Sequence, residues 1–90
     1  MKQAASLLLI FAATVAGAQV DADKKAAFIA VLERNDCRMH NFSPTPDLIN
    51  DIAASGLERP DVRAIGQDMM AKGEAVADGD FFVLKTGACK

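Results

Sequence analysis

The residues of this chain whose types could do soft-metal or redox chemistry are two cysteines, one histidine and a few methionines. Catalytic dithiols usually stand close together at a helix start, where the helix dipole lowers the thiol pKa. Cys37 and Cys89 are far apart, form no Cys-x-x-Cys, and Cys37 falls at the end of a helical pattern. In an oxidising compartment such a pair reads as one structural disulfide. Closing so long a loop stabilises a fold by about 4 kcal/mol on the chain-entropy estimate.

Met39, His40 and Met69 carry thioether and imidazole groups, which suit Cu(I). Copper binding through these three is the alternative functional reading. Their spacing gives it little support, because Met69 and Met70 fit a helix core stripe and adjacent helical residues do not share a face. Hydrolytic chemistry needs a nucleophile, a base and an orienting group. Beyond the N-terminal leader described below, the serines are Ser43 and Ser55, and neither has an evident spacing to His40 and a carboxylate. Asp78 and Asp80 flank a glycine, where aspartate is common for backbone reasons alone. The expectation is a protein without catalytic residues or a cofactor, and not an enzyme.

The elements that would position these residues are legible from periodicity. Asp21 or Asp23 caps a first helix running to about Asn35, with Phe28, Val31 and Leu32 on one buried face beside Ala27. Residues 38–44 read as a connector. Thr45, Pro46 and Asp47 make a strong helix start, and Leu48, Ile49, Ile52 and Ala53 its buried stripe. Gly56 ends that helix, with Leu57 folding back on Ile52. Pro60 opens a third helix that turns Val62, Ile65, Met69 and Met70 inward and stops at Gly73. Ala75–Ala77 and Asp80–Leu84 then alternate as two strands about an Asp78-Gly79 turn.

The first eighteen residues read as a secretory leader: Lys2, an uncharged apolar run from Ala4 to Ala16, and a small-x-small cleavage site at Ala16-Gly17-Ala18. The run is shorter than the roughly 20 apolar residues a spanning helix needs, so no stable membrane insertion is expected after cleavage. Residues 19–90 then form a single small exported domain, periplasmic or secreted. The formal net charge is −2, and losing Lys2 takes it to −3. That balance offers no electrostatic attraction to nucleic acid.

Three helices followed by a hairpin resemble the element order of a winged helix-turn-helix, with residues 48–57 as second helix, 60–72 as third and 73–85 as wing. The resemblance implies a mainly α (α+β), three-helix winged-helix-like domain with a C-terminal β-hairpin. In this layout a Cys37–Cys89 bridge ties the end of the first helix to the end of the hairpin. It also implies a third helix entering the DNA major groove. Asp61 and Asp68 on that helix, and Asp78 and Asp80 at the wing tip, read as an ordinary solvated face and oppose phosphate binding, so nucleic acid is not an expected partner. The Cys37-Arg38-Met39 step is similar to one in small exported bacterial proteins, a resemblance that implies no particular activity. The preferred reading is a non-enzymatic binding or envelope-associated module whose partner is another envelope or secreted protein. Phe42, Phe81 and Phe82 are the candidate contact surface, since Phe81 and Phe82 must point to opposite faces of one strand.

Overall fold

Asp21 sets the start of the first helix: its Oδ1 accepts the backbone N–H groups of Asp23 and Lys24 at 2.8 and 3.1 Å, satisfying donors a helix start leaves free. The computed structural model describes residues 20–89. The leader expected over residues 1–18 lies outside the described residues. In chain order the elements are α1 (Ala22–Glu33), β1 (Arg38–His40), α2 (Pro46–Ala54), α3 (Arg59–Ala71), β2 (Ala75–Asp78), β3 (Phe81–Leu84) and a short 3-10 turn, Gly87–Cys89. The strands form one antiparallel sheet in the order β1-β3-β2. The fold is α+β, closed by the Cys37–Cys89 disulfide with its Cα atoms 5.7 Å apart.

The expected connector after α1 contains a strand. The helix stops at Glu33, and Asp36 and Cys37 both adopt left-handed backbone, with φ of 65° and 62°. That conformation is costly for residues with a Cβ. Here it turns the chain so that Arg38–His40 pairs with Val83–Phe81. The expected hairpin is thus two strands of a three-stranded sheet.

The hairpin turn also moves by one residue. Asp78 pairs with Phe81, leaving Gly79-Asp80 as the loop, with Gly79 at φ +60° and Asp80 not in the positive-φ region. Glycine at the first central position suits a type II′ turn, whereas Asp78-Gly79 in the centre would have required type I′.

The core joins Phe28, Val31 and Leu32 of α1 to Leu48, Leu57, Ile65 and Met69, and to Ala75, Phe82 and Leu84 of the sheet. The Phe28 and Phe82 rings meet at 6.0 Å, tilted by 52°. Burying each large side chain is favourable by about 1.5–3 kcal/mol. Three expected core residues are on the surface instead: Ile49 is 50% exposed, Met70 45%, and Ala53 is exposed as well. Each directly follows an inward position, Leu48, Ile52 or Met69, and one step along a helix turns a side chain away from its neighbour's face.

Ion pairs hold the helices in place. Arg34 makes a two-pronged contact with Asp51, 3.0 and 2.7 Å long, linking α1 to α2. Lys24 meets Asp61 at 3.2 Å, and Lys25 meets Asp68 at 3.0 Å and Glu74 at 2.7 Å. Asp61 and Asp68 were expected on a simple solvated face of the third helix. They are inter-helix partners, and Asp61 also accepts the Glu58 N–H at 2.9 Å to cap α3.

Candidate functional site

Strand alternation sorts the sheet into two faces. Met39, Phe82, Leu84 and Ala75 look toward the helices, and all four are buried in or packed against the core. Arg38, His40, Val76, Asp78, Phe81 and Val83 share the opposite face, matched by the cross-strand pairs Arg38–Val83–Val76 and His40–Phe81–Asp78.

Phe81 is the centre of this outer face. The Arg38 guanidinium carbon stands 4.7 Å from its ring centroid, within cation–π range. The His40 ring also meets it edge-on, with centroids 5.0 Å apart. Phe42 continues the row, its centroid 6.2 Å from that of His40, and it is 78% exposed. A phenylalanine that exposed contributes almost nothing to the core, so the fold alone does not account for it.

His40 is already engaged. Its Nδ1 accepts the backbone N–H groups of Phe42 and Ser43 at 3.1 and 2.9 Å, and its Nε2 lies 4.0 Å from Asp80 Oδ2. The imidazole therefore gathers Ser43 and Asp80 around itself, in an arrangement no sequence spacing revealed. It is the Ser43 amide, not its hydroxyl, that occupies Nδ1. With its Nδ1 lone pair shared by two N–H donors, the ring ties the loop at residues 41–43 to β1.

Of the three candidate aromatic contacts, the structure keeps two together. Phe42 and Phe81 lie on the outer side, whereas Phe82 is 6% exposed and packs on Phe28. Phe82 is thus a core residue and leaves the candidate surface. The three candidate copper ligands are divided. Met69 is fully buried, Met39 packs against the core, and His40, the next residue on β1, belongs to the outer face. Met39 and His40 cannot both be turned to one ion without breaking the strand.

No family model matches the chain, and no curated protein or solved structure matches it. The site therefore stands on its own geometry.

At the edge of the aromatic row lies an open cleft of about 420 Å³. β1 forms one wall, the start of α2 with Thr45, Asp47 and Leu48 forms another, and the turn at residues 34–36 closes one side. Sequence reasoning missed this cleft because it missed β1. The one available signal was the Arg-Met-His alternation just after the cysteine.

Proposed function

We propose that this chain is a small exported module, non-enzymatic and winged-helix-like, that binds another envelope or secreted protein through the outer face of its sheet. The observation that carries the reading is the row Arg38, Phe81, His40 and Phe42, with Phe42 78% exposed at its end. Aromatic and arginine side chains are the commonest anchors of protein interfaces. Export is supported by the leader-like residues 1–18 and by a disulfide, which persists in oxidising surroundings. No helix among the described residues is long and apolar enough to cross a membrane. The winged-helix reading is supported by the order of helices and strands and by the β1-β3-β2 sheet. A protein partner is favoured over DNA because Lys24 and Lys25 are already taken up by the carboxylates of α3 and the hairpin tip carries Asp78 and Asp80.

A photoreactive phenylalanine analogue at position 42, in cells of the native host, tests this reading. The expected result is one dominant protein adduct, lost when Arg38→Ala and Phe81→Ala are added. The same analogue at Gln67, exposed on α3, should give none. Equal labelling from both positions, or none from Phe42, would overturn it.

A further inference from the structure

We propose that the cleft beside β1 receives an extended segment of a partner protein as a fourth strand of the sheet. β1 is an end strand, so one of its edges faces no strand among the described residues. The ladder shows which groups point that way. Leu84 N–H donates to Cys37 C=O and Asn41 N–H to Asp80 C=O, each at 2.8 Å. Bonded positions alternate along an antiparallel pair, so Met39 carries the next bonds to β3. The N–H and C=O groups of Arg38 and His40 must then point outward, and they have no hydrogen-bond partner among the described residues.

These two donors and two acceptors stand at the spacing an extended chain repeats. Two residues of an incoming antiparallel segment, separated by one, would close four hydrogen bonds about 4.8 Å from β1. The far wall identifies the occupant. Thr45, Asp47 and Leu48 at the start of α2 face β1 across the cleft. A single extended chain fits between a strand and a helix end, whereas a second copy would have to bring its own sheet and helices into the same space. Charge narrows the choice further. Asp36 and Asp47 have no ion-pair partner among the described residues and Arg34 is held by Asp51, which leaves two carboxylates against the one Arg38 guanidinium in the cleft lining. The segment that fits carries a lysine or arginine. The cleft shares Arg38, His40 and Phe81 with the aromatic row, but a fourth strand engages backbone N–H and C=O groups whereas the row engages side chains, so the two readings give different results.

The test is selection of short linear peptides, displayed on phage, against the disulfide-intact protein, followed by amide NMR titration with the enriched peptide. The expected peptide carries a basic residue, shifts the Arg38 and His40 amides most, and slows their exchange with solvent. N-methylation of a ladder-bonding peptide residue should weaken binding about tenfold, the loss of roughly one hydrogen bond. Asp47→Lys, with its helix content checked by circular dichroism, should weaken a basic peptide by a similar factor. Four results overturn the proposal: no enriched peptide, one that leaves Arg38 and His40 unshifted, one that shifts only Phe42 and Phe81, or a protein that sediments as a dimer through this edge. The third of these would still leave the aromatic row standing.

Discussion

Replacing Cys37 and Cys89 together by serine removes a link between positions 52 residues apart. For a loop of that length the chain-entropy relation gives about 4 kcal/mol of lost stability. Small domains have total stabilities of the order of 5 kcal/mol, so the double variant should sit close to its unfolding midpoint in plain buffer. The assay is urea unfolding followed by far-ultraviolet circular dichroism, comparing the oxidised protein with Cys37→Ser/Cys89→Ser. The denaturant slope should also rise, because an unfolded chain without the link exposes more surface. A companion variant separates the link from the backbone it holds. Cys37 has φ 62°, a conformation that costs a residue with a Cβ about 1–2 kcal/mol. Cys37→Gly/Cys89→Ser should therefore recover about 1 kcal/mol relative to the double serine variant. A double serine variant within about 1 kcal/mol of the oxidised protein would refute the loop argument.

Gly66 lies inside α3, and a Cβ there would meet the Phe82 ring at 3.5 Å, an ordinary contact. Gly66→Ala should stabilise the protein by up to about 1 kcal/mol through helix propensity, read as a higher urea midpoint. Gly87 is the opposite case, with φ +63° and a Cβ position only 2.5 Å from Glu33 Oε2. That carboxylate accepts the Ala88 N–H at 3.0 Å, so Gly87→Ala should destabilise by more than about 1 kcal/mol in the same assay. Acid should weaken the fold in a defined direction. The Arg34 guanidinium holds the Asp51 carboxyl below its usual value, the Glu58 N–H and then Lys24 do so for Asp61, and Lys25 and Lys72 for Asp68. Each group binds its proton less readily folded than unfolded, so its contribution is complete above the ordinary carboxylate value near 4 and is lost as pH falls through the depressed folded values. Lys25 is shifted upward, chiefly by Glu74, so its contribution fades only as pH rises past the ordinary lysine range. Thermal melts between pH 2 and 7 check the acid side, and a flat profile below pH 4 would contradict it.

The helices were legible because their ends are written in local chemistry. Asp21, Thr45-Pro46-Asp47 and Gly56 act within a few residues of themselves, and the stripe Phe28, Val31, Leu32 has a period that one helix alone imposes. The disulfide was legible for a different reason: two cysteines allow one pairing. What the sequence concealed depends on partners distant in the chain. Arg38–His40 has no β-branched residue and becomes a strand because β3 is there to pair with it. Asp80 reaches His40 for the same reason, since register brings the hairpin turn alongside β1. Asp61 and Asp68 looked like solvent-facing charges because Lys24 and Lys25 lie on another helix. By residue type and strand position alone, Phe42, Phe81 and Phe82 are equal candidates for the surface. Only the register decided which neighbour faced outward.

The unread strand also links the disulfide to the candidate site. A strand of three residues cannot persist by its own hydrogen bonds, so β1 needs its ends fixed. At one end Asn41 N–H bonds Asp80 C=O, with the loop beyond it gathered by His40. At the other, Cys37 occupies an unfavourable backbone conformation and is held there covalently by Cys89, whose own segment is tied to α1 through Glu33. Cutting the sulfur link would release the strained end of β1 first, and with it the seats of Arg38 and His40. Cys37, Met39 and Cys89 pack against the core, so releasing that end weakens the fold as well as the site. In the fraction of reduced protein that keeps its helices, binding by either the aromatic row or the cleft edge should still fall.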